Sequence, residues 1–167
     1  MSERPQRIEP GPGQESVWDY PRPPAVVAST DHVRVMHGGV VIADTHAAVR
    51  VLETSQPPAY YLPRVDVRSD LLRRIETRTV CEWKGVATYW TLVLPDGREV
   101  VDVAWSYEQP VDSFAAITGH LAFYAQRADE CWVGDERVEP NAGSFYGGWI
   151  TSRVVGPFKG APGTSGW

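Results

Sequence analysis

From Ala25 to Val138 the chain is a succession of short runs rich in β-branched and aromatic residues, each broken by Gly, Pro or Asp. Alternation is clearest over 75–83, where Ile75, Thr77, Thr79, Cys81 and Trp83 share one face. Arg74, Glu76, Arg78 and Glu82 share the other, with Val80 among them. Successive side chains of a strand point to opposite sides, so this pattern predicts a strand with one buried and one wet face. The runs 87–94 and 99–107 flank Pro95-Asp96-Gly97-Arg98, and Asp-Gly between β-rich runs predicts a tight hairpin. Further strands are predicted at 25–29, 47–52, 60–62 and 120–125, and at 33–36 and 40–43 around His37-Gly38-Gly39. A small hairpin over 131–133 and 137–138 turns at Gly134-Asp135.

Two short helices interrupt this pattern. Asp66 is expected to cap one that runs through Leu71-Leu72, its carboxylate accepting from the free N–H groups of the first turn. Asp112 or Ser113 is expected to cap the other, which carries Phe114 and Ile117 and ends at Gly119. Short connections between so many strands favour antiparallel pairing. The fold class is therefore mainly β: a compact antiparallel sandwich, barrel or tent-like pair of sheets with one or two short helices.

Three zones follow. Residues 1–14, rich in Pro, Gly and charge, read as a flexible leader. Residues 15–140 form a single β domain, entered by an extended arm in which Pro21, Pro23 and Pro24 hold the backbone open and Trp18 and Tyr20 pin it down. From Asn141 the Gly and Pro content rises again, and 141–167 reads as a tail packed on the domain.

Composition adds a bias. Seven Trp and seven Tyr stand against four Phe, and Trp and Tyr suit half-wet sites because each carries a polar handle. The net charge of −5, with no long basic block, gives no footprint for nucleic acid. No apolar run approaches the roughly 20 residues of a membrane span, and the polar N-terminus is unlike a secretory signal. A cytoplasmic location is expected, with Cys81 and Cys131 as free thiols.

Candidate chemistry is concentrated between Glu53 and Asp66 and between Cys81 and Trp90. His32, His37, His46 and His120 lack metal-ligand spacing, neither cysteine has a neighbour at such spacing, and no phosphate-cradling glycine loop is present. No metal or cofactor is expected. Cys81, three residues before Lys84, is a candidate nucleophile because a nearby ammonium favours the thiolate; its place in the alternating row also fits plain packing. Glu53 ends a strand in apolar surroundings, with Lys84 as its expected partner; the pair would activate a substrate or hold two strands together. Consecutive aromatics on a strand face opposite ways, so Tyr60 with Tyr61, and Tyr89 with Trp90, cannot share one core: one of each faces another layer, the tail or a ligand. A cleft is expected, walled by Tyr60, Tyr61, Trp105 and Tyr107 and anchored by Glu53, Lys84 and Arg22.

Together these motifs resemble a bacterial and fungal family, domain of unknown function 427. The resemblance runs from about Glu15 to Val138. It rests on Glu15-Ser-Val-Trp-Asp-Tyr-Pro-Arg-Pro-Pro24, on Glu53-Thr-Ser with Pro57-Pro58-x-Tyr60-Tyr61-x-Pro63 and Asp66-Val67, on Cys81-x-Trp83-Lys84-Gly85-x-Ala87-x-Tyr89-Trp90, on Ala104-Trp105-x-Tyr107-x-x-Pro110 and on Ala122-Phe123-Tyr124. It implies a tent-like β fold similar to zinc-binding β-tent domains, without the four cysteines that hold their metal. A nucleotidyltransferase label has been attached to the family, but that chemistry needs a Gly-Ser pair before closely spaced acidic metal ligands, and Asp66 and Asp70 do not supply them. Three readings stay open: a binder of a small organic ligand, an enzyme working through Glu53, Lys84 and Cys81 in the same cleft, and an interaction module that docks a partner or a second copy as a homodimer.

Overall fold

The computed structural model describes residues 5–167. Its centre is a four-stranded antiparallel sheet in the order Leu121–Phe123, Glu99–Ser106, Gly85–Val93, Leu72–Cys81. The Asp-Gly turn between the middle strands forms as the sequence requires: Gly97 takes a φ of 90°, Leu94 donates to the Arg98 carbonyl at 2.8 Å, and the Asp96 carboxylate accepts from the Arg98 N–H at 3.0 Å.

Apolar layers pack against both faces of this sheet. On one side lies a second four-stranded sheet, ordered Glu136–Arg137, Glu130–Val133, Val33–His37, Val40–Thr45. Val33, Val35, Ile42, Leu92, Val103 and Phe123 interlock there into the larger apolar layer. On the other side Tyr61, Tyr89, Trp105, Tyr107 and Tyr124 meet Phe114 and Ile117 in an aromatic layer. A three-stranded sheet, Ala25–Ala28, Val49–Leu52, Ala59–Tyr61, bridges the two. Its end is locked to the central sheet by reciprocal Leu62 and Leu121 backbone bonds, each 2.8 Å.

Two apolar layers resolve the paired aromatics. Tyr60 and Tyr61 are 4% and 1% exposed, but Tyr60 joins the first layer and Tyr61 the second. Tyr89 and Trp90 divide the same way. The outer strand Leu72–Cys81 keeps a wet face: Arg73, Arg74, Glu76, Arg78 and Val80 are exposed, while Ile75, Thr79 and Cys81 are half-buried. Thr77, expected on the buried face, is exposed, because the pairing register shifts between Arg74 and Arg78.

The expected helices are shorter and tighter. In place of one capped by Asp66 stand two 3₁₀ turns, Arg64–Asp66 and Ser69–Leu71, neither with a side-chain cap. The Asp66 carboxylate instead accepts from the Thr45 hydroxyl at 2.7 Å. Phe114 and Ile117 are buried on a 3₁₀ segment, Asp112–Ile117, that begins after Val111 without a side-chain cap. Among the described residues, no helix is long and apolar enough to cross a membrane.

The C-terminal segment differs most from expectation. Trp149, 1% exposed, stacks on Tyr60 with ring centroids 5.1 Å apart and donates from Nε1 to the Phe123 carbonyl at 2.8 Å. It belongs to the central packing rather than to a surface tail. Farther on, Val154–Val155 pairs in parallel with Glu15–Ser16, and the Trp18 indole donates to the Pro157 carbonyl at 2.8 Å. Of the predicted leader, residues 1–4 lie outside the described residues. The remainder runs beside the C-terminal segment, Ile8 donating to the Gly156 carbonyl and the Gln14 amide to the Ser152 carbonyl.

Candidate functional site

The aromatic layer is incompletely filled. Between the central sheet and the C-terminal segment lies a cavity of about 270 Å³. Tyr61, Tyr89, Trp105, Tyr107 and Tyr124 wall it. Trp105 meets Tyr61 edge-on, centroids 6.0 Å apart at 86°, and its Nε1 donates to the Tyr61 hydroxyl at 3.1 Å. Trp105 also packs on Tyr124 at 4.6 Å, and the Tyr89 and Thr79 hydroxyls are 2.8 Å apart. Burial raises the phenol pKa of Tyr61, Tyr107 and Tyr124, so each hydroxyl stays protonated and able to donate at neutral pH.

Lys84 enters from the tight loop between Leu72–Cys81 and Gly85–Val93. Gly85, at a φ of 115°, lets that loop return at once into the sheet, and the Val111 N–H donates to the Lys84 carbonyl at 3.0 Å, fixing the loop from outside. The residue is 9% exposed. Its Nζ lies 5.8 Å from the ring centroids of both Tyr107 and Phe114. Among the described residues its ammonium has no ion pair and no side-chain hydrogen bond; the carboxylate expected to pair with it is engaged elsewhere.

That carboxylate is Glu53. It lines the cavity, but it faces the Arg22 Nε at 3.6 Å and accepts from the Gln56 amide at 3.0 Å. The expected Glu53–Lys84 pair is thus replaced by Glu53–Arg22, because the proline-rich arm brings Arg22 up behind Glu53. Arg22 does not line the cavity; its guanidinium also donates to the carbonyls of Thr54 and Trp167. Tyr60 is directed to the opposite layer, against Trp149, and does not reach the cavity. Cys81 lines it, half-buried, with its thiol beside the Tyr107 phenol. No histidine is among the lining residues to serve as a base for that thiol.

The outer wall comes from residues that strand periodicity did not single out. Phe145, Tyr146, Gly147 and Gly148 close over the aromatic layer, and Lys159 stands at the rim with Nζ 5.1 Å from the Tyr146 ring. A Cβ on Gly147 would penetrate the Trp105 ring and approach Tyr124 at 3.1 Å; one on Gly148 would strike the Pro57 carbonyl. Glycines between aromatic residues mark such close backbone approach, and Phe145-Tyr146-Gly147-Gly148-Trp149 carried that signal.

Other candidate groups sit apart from the cavity. His32 contacts Asp44 at 2.6 Å and stacks on His46, and His37 faces Asp129. Asp70 is held by Arg68, which keeps its carboxyl below the usual carboxylate range. A second depression, about 340 Å³, has its charges paired internally as Arg50–Glu15 and Arg153–Asp31, each 2.7 Å.

Layered antiparallel sheets with an aromatic-walled cavity at one side define a mainly β protein. The chain belongs to the family described as domain of unknown function (DUF427), whose family model matches residues 25–134. That span holds Glu53, Tyr61, Cys81, Lys84, Trp105 and Tyr107, but neither Arg22 nor the outer wall from 145 to 148. Comparison with curated proteins gives no match.

Proposed function

We propose that this protein binds a small organic ligand in the aromatic cavity. The observation that carries this reading is an aromatic-walled space of about 270 Å³ lined by the unpaired ammonium of the largely buried Lys84. Its volume lies near the lower end of the ~300–1,000 Å³ range of small-molecule sites, and apolar walls with a few convergent polar groups are their usual make-up. Trp105 and Tyr61 supply ring faces, the protonated phenols supply donors, and the glycine-rich segment supplies one wall. A cytoplasmic setting suits the two free thiols, Cys81 and Cys131.

The test is native mass spectrometry of protein purified gently from its own host, compared with its denatured mass. The expected result is a defined additional mass that disappears in Trp105→Leu while the variant keeps its fold by circular dichroism. Protein that is always ligand-free, and whose melting temperature no metabolite-sized compound raises, would sink the proposal.

A further inference from the structure

We infer that the ligand is an anion, and specifically an aromatic monocarboxylate whose carboxylate meets Lys84 and whose ring lies among Tyr61, Trp105 and Tyr107. This deepens the ligand-binding reading and rests on it. A cation drawn largely out of water is costly unless something compensates it. Lys84 is 9% exposed, and its resident company is two ring faces, each 5.8 Å from Nζ. Cation–π attraction supplies part of what water gave, but the ammonium's own N–H donors remain open among the described residues.

The neighbouring acids do not answer it. Glu53 is held by Arg22 and Gln56, and Glu82, the other acid lining the cavity, is exposed at its mouth. The other polar groups of the lining include the protonated phenols of Tyr61 and Tyr107, which can donate to an anion. The second cation of the lining, Lys159, lies at the rim over Tyr146 and offsets the charge of Glu82 there.

The class follows from what is present. The lining holds no arginine fork and no phosphate-cradling loop, the usual devices for a phosphate or diphosphate. One unpaired ammonium at the inner wall matches one negative charge. The flanking walls are flat aromatic faces, which favour a flat ring by stacking or edge-on contact. A volume of about 270 Å³ suits one or two rings with a short acidic arm.

The experiment is isothermal titration of the full chain with benzoate, phenylacetate and 2-naphthoate, each beside its neutral amide, in wild type, Lys84→Met and Lys84→Arg. At least one acid is expected to bind wild type about 10- to 100-fold more tightly than its amide, the range for one charge-assisted hydrogen bond. Lys84→Met should abolish that preference without weakening the amide, and Lys84→Arg should restore part of it. Amides binding wild type as tightly as the acids would overturn the inference and leave the ligand-binding reading standing, as would an uncharged molecule in the native mass measurement. If no acid or amide binds and no mass is carried from the host, both fall. Should Lys84→Met fail to fold, the acid-to-amide ratio in wild type decides the matter unaided.

Discussion

Replacing Trp149 with alanine tests whether the C-terminal segment completes the core or merely lies on it. Trp149 is 1% exposed, stacked on Tyr60 and bonded through Nε1 to the Phe123 carbonyl at 2.8 Å. Removing a buried tryptophan ring costs about 3–5 kcal/mol through lost burial and the cavity it leaves. The orphaned Phe123 carbonyl adds about 1 kcal/mol. With a urea m-value of ~2 kcal/mol/M, a loss of ~4 kcal/mol lowers the unfolding midpoint by roughly 2 M. Trp149→Phe keeps most of the stacking and forfeits the hydrogen bond, so it should cost about 1–2 kcal/mol. Phe145→Ala is the control: it lies in the same segment but is 63% exposed, and should stay within about 0.5 kcal/mol of wild type. The assay is equilibrium urea unfolding followed by far-ultraviolet circular dichroism. A shift for Trp149→Ala no larger than that for Phe145→Ala would refute the reasoning.

Three further outcomes are expected. Gly147→Ala should displace Trp105, costing about 1–3 kcal/mol and changing the near-ultraviolet circular dichroism of the aromatic layer; an unchanged spectrum and melting temperature would show that the wall has room to spare. Burial raises the folded-state pKa of Tyr20, Tyr61, Tyr107 and Tyr124, so their contribution to stability is fully present below the ordinary tyrosine value of about 10 and is lost as pH climbs through and above it. Absorbance at the phenolate band should therefore show these tyrosines ionising only with unfolding, and a smooth titration of all seven near pH ~10 in folded protein would contradict this. A thiol reagent should modify Cys81 readily in the native state, whereas Cys131, 2% exposed and pushed up to about 12 by burial, should react only after denaturation; two fast thiols, or none, would count against the assignment.

Much of the sheet could be read from alternation and turn chemistry, since both are local. The Asp96-Gly97 hairpin and the strand over 75–83 were visible because a few adjacent residues dictate them. The opposed fates of Tyr60 and Tyr61 were visible too, as a constraint; that two separate apolar layers satisfy it depends on which sheets stack, which no local window encodes. The site divided along the same line. Glu53, Tyr61, Cys81, Lys84, Trp105 and Tyr107 gather around one cavity because strand ends and a tight loop deliver them. Tyr60 and Arg22 do not line it, the first by strand parity, the second because it is spent on Glu53. Tyr124 stood in a predicted strand and a family motif with no place in the cleft, and Tyr146 and Lys159 belong to a segment whose sparse periodicity does not show where it returns. Asp66 looked like a helix cap, but the nearby Thr45 hydroxyl offered a tertiary partner instead.

The pairing of Glu15–Ser16 with Val154–Val155 bears on how the molecule is made. A ribosome releases the N-terminal arm long before the strand that will lie beside it exists. Until Trp149 emerges, Tyr60 has no ring to cover it, and the cavity has no outer wall before Gly147 and Gly148 arrive. Contacts so distant along the chain slow folding, because closing a long loop must precede any gain from the contact. The nascent protein must therefore hold an open, tyrosine-rich face until residues 147–149 have been made, and the cavity gains its outer wall only after the strands that line it.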